Sequence, residues 1–269
     1  MKLSVCTIAR NEQEDLPGFI EHLLDWVYEI VIIDDDSEDN TKSIALSYGN
    51  KIKFIENPMG NNKHFAKQRN LSIKHASGDW LIHMDIDERV TPKLKQSILN
   101  SLKLEKYNAF KYRRLNHFLH YPMLHGGWHK WNRPQLARRN KHYFRNKVHE
   151  VCIIEGAENK IGQLKGFMWH FIDASYEERL RKNITYSKLT AEQILKKVEK
   201  VKWYHIIFHP FYRMLKSYIY YKGFLDGTKG LVFSLYTGLS TLNWWIFAWE
   251  YQNKITRKEL ENKFLKNKI

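Results

Sequence analysis

Three apolar runs in the first third of the chain end in acids. Leu3–Ile8 leads into ARNE (9–12), Glu29–Ile33 into DDDSEDNT (34–41), and Trp80–Met84 into the segment MDIDER (84–89). Short β-branched or aliphatic runs closed by polar residues read as buried parallel strands, because a strand covered on both faces shows no alternation. Between the first two runs, Glu12–Trp26 spaces Leu16, Phe19, Ile20, Leu23 and Leu24 at helical intervals. The alternation continues with a helix over Thr41–Tyr48, a strand over Ile52–Ile55, a helix over Phe65–Ala76 and the strand Trp80–Met84. This pattern predicts an open α/β sheet, mostly parallel and flanked by helices. Ligands of such sheets sit beyond the carboxyl ends of the strands, where residues 10–12, 34–36 and 85–87 would lie.

Past the third acidic segment, Thr91-Pro92 opens a further helix to about Leu104, and Ala109–Arg113 reads as a strand. From Leu115 to Asn146 the chain turns to His, Trp, Arg and Gly, including HGGWHKW (125–131), and is read as loops that bind something. Lys147–Ile154 and Gln163–Phe171 are expected as strands closing a domain over 1–172. Residues 173–269 then form a basic, aromatic-rich helical region, opened by a long amphipathic helix over Tyr176–Lys202. Within it, Gly230–Trp249 contains no charged residue, long enough to cross a bilayer if helical. Gly238, Ser240, Thr241 and Asn243 dilute that stretch, and the preceding segment 203–222 mixes aromatics with cations as an interfacial helix would. Interfacial docking, a buried helical hairpin and a true span all remain open, with docking the leading expectation. The charged tail from Lys254 is expected to fray.

Charge narrows the partners. The net +15 is uneven: residues 1–100 carry 12 Lys and Arg against 16 Asp and Glu, whereas 101–269 carry 32 against 13. A basic second half suits nucleic acid, an anionic membrane surface or a phosphorylated acceptor. Cys6 and Cys152 make neither a disulfide framework nor a zinc-ligand set, and Cys6 reads as a core residue. No apolar stretch behind basic residues opens the chain, so a cytosolic start is the default.

The acids carry the chemistry. Asp85 and Asp87 at a strand end project toward one face, and two hard oxygen ligands there suit Mg²⁺ or Mn²⁺, which in turn binds diphosphate oxygens. A carboxylate at Asp34 or Asp35 can accept from a ribose hydroxyl or a base N–H, while Ser37, Asp39 and Thr41 can cap the helix that follows. Lys67 and Arg69, on a helix leading back to the sheet, can contact a diphosphate, exposed helical cations being the commoner outcome for either alone.

These segments resemble the inverting family 2 glycosyltransferases of GT-A fold. ARNE resembles the family's first-strand signature, DDDS its nucleoside-binding Asp-Asp-Gly-Ser, and DID its metal-binding motif. More narrowly, WVYEIVIIDDDSEDNT, HFAKQRN, MDIDERVTP, HGGW, KVHE and GFLDG are similar to bacterial transferases that add a β-linked glucose or related sugar to the lipopolysaccharide inner core. The resemblance implies that Asp35 binds the base, Ala9 and Glu12 line the nucleoside, Asp85 touches ribose or metal, and Asp87 holds the metal. It makes Glu150 the catalytic base, with His149 the rival. His170 is read as a packed histidine, a metal contact being the rarer alternative. Ile8 replaces a common proline, and Asp36 stands where glycine is usual. Gln135–Arg139 reads QLARR rather than the Gln-x-x-Arg-Trp of processive synthases, which favours addition of one sugar.

The implied protein is a cytoplasmic enzyme docked peripherally on the inner face of the cytoplasmic membrane. It would take a nucleotide-sugar, a UDP-sugar by expectation, and a lipid-anchored, phosphorylated glycan such as the lipopolysaccharide core. The alternatives are transfer to a polyprenyl phosphate or another envelope glycan, and, outside enzymes, a nucleic-acid-binding protein, which leaves the acidic strand ends unexplained. A helical membrane protein with vestigial motifs is a further reading.

Overall fold

The computed structural model describes residues 1–60, 64–128, 131–147, 150–156, 160–172 and 175–266. The chain separates into two compact units, Met1–Asn116 with His129–Ile172, and His117–Trp128 with Asp173–Ile269.

In the first unit, β1 (Leu3–Ala9), α1 (Leu16–Leu24), β2 (Glu29–Asp34), α2 (Thr41–Ser47), β3 (Ile52–Glu56), α3 (Phe65–His75) and β4 (Trp80–His83) follow in the predicted order. The strands lie in the order β3-β2-β1-β4, all parallel, with Ala9 opposite Asp34 and Cys6 opposite His83. Side chains alternate between two cores. Leu3, Val5, Ile30, Ile32, Trp80 and Ile82 pack with Leu16, Phe19, Ile20 and Leu23 of α1. Cys6, Val31, Ile33 and Leu81 face the opposite layer, with Leu71 and Ile73 of α3. Period two is therefore present in space though invisible in the sequence, since both faces are covered. Burial pushes the Cys6 thiol up to about 12, which suits a core residue and not a nucleophile.

α1 is shorter than the expected 12–26. Asn11 takes φ +56, and the Leu16 N–H donates to the Glu12 carbonyl, so residues 10–15 form a turn that keeps Glu12 at the sheet edge.

Beyond β4 come β5 (Glu88–Val90), α4 (Pro92–Ser101), β6 (Ala109–Phe118), β7 (Tyr121–Pro122), β8 (Asn132–Arg138), β9 (His142–Arg145), β10 (Val151–Ile154) and β11 (Ile161–Phe171). Here the sheet turns antiparallel: β8 pairs with β4, β6 with β8, and β11 with β5. The α/β class expected from the sequence is the one adopted, with this antiparallel extension added. The loop expectation for 115–146 is overturned, because that stretch holds the end of β6 together with β7, β8 and β9. Pro134 concealed β8; it lies opposite Lys111, where the β6–β8 register shifts and a missing N–H is tolerated. β10 pairs with β9 in a separate hairpin.

The second unit is helical. α5 (Tyr176–Leu195), capped by Ser175, stops short of the predicted Lys202. α6 (Trp203–Leu215) runs into a π-helical turn over Lys216–Tyr220, and α7 (Thr228–Asn253) and α8 (Arg257–Leu265) follow. The packed face of α7 mixes small and polar residues with rings: Gly230, Ser234, Gly238, Ser240 and Thr241 are buried beside Phe233, Tyr236 and Trp245, and Asn183 of α5 donates to Tyr236 Oη and Ser240 Oγ while accepting from Asn243. Leu231, Leu235, Ile246 and Trp249 face outward. No helix among the described residues is long and apolar enough to cross a membrane.

Candidate active site

The parallel register brings the ends of β1, β2 and β4 to one edge of the sheet. Asp34 continues the strand and bonds locally, accepting from Ser37 N–H at 2.9 Å and Ser37 Oγ at 2.6 Å. Asp39 accepts from the Thr41 backbone and hydroxyl and from Gln13 N–H. Asp34 thus closes a turn at Ser37, while Asp39 meets the first N–H of α2 at Thr41. Asp36 takes φ +60, the left-handed conformation that a glycine would otherwise supply and that Asp tolerates.

Asp35, 1% exposed, accepts from Met59 N–H at 2.6 Å and from Arg10 Nη1 at 3.0 Å. These two bonds fix the aim of the carboxylate, although the Arg10 side chain is 44% exposed. Ala9 is buried, and its carbonyl accepts the Asp35 N–H at 2.8 Å. Burial, then the neighbouring carboxylates Asp87, Asp15, Asp39 and Asp85, push Glu12 up to about 7. Such crowding of acids is relieved by a cation.

Arg69 organises the other side. Reaching from α3, its Nη2 donates to Asp85 Oδ1 at 2.6 Å and its Nε to Glu150 Oε1 at 2.9 Å. The side chain is 9% exposed. Arg69, expected to reach a diphosphate, thus has its guanidinium engaged in joining two carboxylates separated by 65 positions of sequence. Lys67 on the same helix is exposed.

Asp85 has further partners. Arg114 of β6 approaches its Oδ2 at 3.3 Å and lies 2.6 Å from Glu88 Oε1, the latter a close ion pair without hydrogen-bond alignment. Glu88 Oε2 accepts the Asp85 N–H and so fixes the Asp-Ile-Asp turn. Burial raises the Asp85 carboxyl, but Arg69 and Arg114 more than reverse this and hold it down at about 2. Glu88 is pushed the other way, by burial first and by Asp85, against Arg114.

Asp87 faces His170 of β11, with Oδ2 3.1 Å from Nε2. His170 Nδ1 lies 2.8 Å from Asn116 Oδ1, and donating there turns the Nε2 lone pair toward the carboxylate. Two acceptors face to face need a proton or a cation between them. Asp85, Asp87 and His170 each offer a ligand atom, all within 4.8 Å of one another. Two carboxylates and an imidazole fit a divalent metal of the Mg²⁺ or Mn²⁺ kind. His170, expected as a packed histidine, stands beside Asp87 in this cluster.

Glu88, Arg114 and Asn116 escaped the sequence reading, since strand pairing alone brings β5, β6 and β11 to the acids. The one local hint was Glu88, directly after the Asp-x-Asp pair. His149, the rival base, lies outside the described residues, as do two positions of HGGWHKW (129–130).

The family model described as Glycosyl transferase family 2 matches residues 4–157. The chain is 27% identical over 251 residues to the lipopolysaccharide core biosynthesis glycosyltransferase LpsC of Rhizobium meliloti (strain 1021), covering 88% of this chain and 90% of that one. It is 22% identical over 246 residues to the uncharacterized glycosyltransferase RP128 of Rickettsia prowazekii (strain Madrid E), covering 87% and 82%. Among solved structures, S. aureus TarS 1–349 in complex with UDP-GlcNAc is similar over 96% of this chain and 93% of that chain, with 16% identity and a TM-score of 0.48.

Proposed function

The chain belongs to glycosyl transferase family 2, and from that premise we propose that it moves a single sugar from a nucleotide-sugar to a lipid-linked glycan with inversion at the anomeric carbon. The observation that carries this reading is Arg69, which ties Asp85 of the metal-type cluster to Glu150 through two short hydrogen bonds. A donor-side acid and an acceptor-side base are thereby held in one frame.

Asp35 receives the base, Ala9 and Glu12 line the nucleoside, and Lys67 contacts the diphosphate; a UDP-sugar is the expected donor. Asp85, Asp87 and His170 would hold a divalent cation, whose charge offsets that growing on the diphosphate as the glycosidic bond breaks. Glu150 accepts the proton of the acceptor hydroxyl while that oxygen bonds the anomeric carbon and the nucleoside diphosphate leaves from the opposite face. The name of LpsC supports the lipopolysaccharide core as acceptor.

The membrane docking proposed here is supported by the outward side chains of α7. Its outward Leu231, Leu235, Ile246 and Trp249, with Trp203, Ile207, Phe208 and Phe211 of α6, leave an exposed apolar surface flanked by cations. Such a surface suits the headgroup boundary of a bilayer, and we place the enzyme peripherally on the cytoplasmic face.

The test is sugar transfer from UDP-sugars to deacylated and intact core acceptors in the presence of Mg²⁺ or Mn²⁺. Asp87→Ala and Glu150→Gln are each expected to lower turnover by about 10²–10⁴-fold. Normal turnover in both variants would sink the assignment. Flotation with anionic vesicles tests docking separately, and a chain that never floats would refute it.

A further inference from the structure

The second unit contains a corner that sugar transfer does not explain. α6 ends in the π-helical turn Lys216–Tyr220, and Lys222 follows at φ +56. Wide turns of this kind weaken local hydrogen bonding and recur at functional positions. The HGGW segment braces this one. Gly126 N–H donates to the Tyr221 carbonyl at 3.0 Å, and Ser217 Oγ to the Gly126 carbonyl at 3.2 Å. A Cβ on Gly127, which has φ +94, would lie 2.7 Å from the Tyr221 ring. His125 adds a clasp, its backbone N–H and Nδ1 both bonding the Asp226 carboxylate, at 2.9 Å and 2.7 Å.

The product is an open groove of about 530 Å³ lined by Tyr212, Leu215, Lys216, Ile219, Tyr220 and Tyr221. Sites for small molecules span roughly 300–1,000 Å³. Lys216 Nζ lies 5.4 Å from the centre of the Tyr212 ring and 5.9 Å from that of Tyr221, which sets one cation among aromatic walls. Ile219 and Tyr220 are exposed on the same wall. Between Trp203 and Trp249 the chain carries Arg213, Lys216, Lys222 and Lys229 against the single acid Asp226, and Asp226 is the residue bound by His125. Lys216 is the one charged side chain among these lining residues, so the groove favours an anion, and its walls favour an anion attached to something apolar.

We propose that this groove seats the phosphate headgroup of an anionic bilayer phospholipid, with Lys216 pairing the phosphate and the tyrosines packing against the glycerol and upper acyl carbons. The proposal rests on the docking reading above and adds the lipid chemistry that the docked surface selects. Bare phosphate would leave the apolar wall unused, and an uncharged lipid would leave Lys216 unpaired.

The test measures binding of dihexanoyl phosphatidic acid, kept below its micelle concentration, to the full chain by intrinsic fluorescence, with inorganic phosphate as the second probe. The short-chain lipid is expected to bind and inorganic phosphate to fail at the same concentration. Lys216→Gln should weaken lipid binding about fivefold, and Tyr220→Ser, at an exposed wall position, should weaken it several-fold while leaving the circular dichroism spectrum unchanged. Lys229→Gln, whose cation sits over the Tyr121 ring, should bind like the parent. Equal losses in Lys216→Gln and Lys229→Gln would mean diffuse surface charge and overturn the groove. So would equal binding of inorganic phosphate, or no binding of the soluble lipid by a chain that still floats with anionic vesicles. Loss of flotation by the parent chain would instead remove the docking reading beneath it.

Discussion

Arg69 shows how much of the site depends on one side chain. It is nearly buried, and its two carboxylate partners come from the end of β4 and the start of β10. Arg69→Ala leaves both without their shared cation. A fully buried pair broken in this way costs roughly 3–5 kcal/mol, and because Asp85 stays 40% exposed the expected loss is nearer ~2 kcal/mol. Urea unfolding should show that loss together with a fall in transfer, whereas an unchanged midpoint would mean that the bridge carries little. At this scale the sequence was partly legible. Asp35, Asp85 and Asp87 could be read because each follows an apolar run, and a strand end sets the direction of its side chains. Arg114 could not, and the place of His170 beside Asp87 was only the rarer alternative, because both lie in antiparallel strands whose partners are remote in sequence and whose own residues read as a basic or aromatic mixture.

At the scale of elements, the α7 packing explains a glycine that composition leaves unremarked. A Cβ on Gly230 would fall onto the Gly223 carbonyl oxygen, so the start of α7 closes against the Gly223–Asp226 turn without room for a methyl. Gly230→Ala raises intrinsic helix propensity by about 1 kcal/mol, yet overpacking of this kind costs roughly 1–3 kcal/mol or more. A net drop in thermal midpoint is expected, and a rise would contradict the packing. The parallel strands and their helices were legible from runs and periodicity. The antiparallel extension was not, since Pro134 and the His and Arg content of β8 and β9 hide strand character that register alone supplies. The long helix expected to reach Lys202 ends at Leu195, and the charged 196–202 segment gave no sign of the break.

For the whole molecule, pH couples to stability through groups distributed across the sheet. Burial lowers His22 to about 4, and it lowers His83 and His142 as well. His142 Nδ1 bonds the Arg138 carbonyl and its Nε2 lies 2.8 Å from His83 Nε2, an arrangement suited to two neutral rings. These histidines contribute stability that is complete above their unfolded pKa of about 6.5 and is lost as pH falls below it. Glu12, raised to about 7, and Glu88, also raised, act in the opposite sense, since they hold protons that the unfolded chain releases above about 4.3. From pH 7 to pH 5 the two sets therefore oppose each other, the histidines losing stability and the glutamates gaining it. Glu12→Gln removes one opposing group, so its urea midpoint should fall more than the parent's across that range, and an equal change would contradict the raised Glu12 carboxyl. The central claim remains the convergence of Asp85, Asp87 and His170 on one divalent cation that a nucleoside diphosphate shares. Calorimetric titration of UDP into the full chain with and without Mn²⁺ tests it most directly. Binding is expected only with Mn²⁺, abolished by Asp87→Ala and retained by Glu150→Gln; equal binding without metal, or undiminished binding in Asp87→Ala, would contradict it.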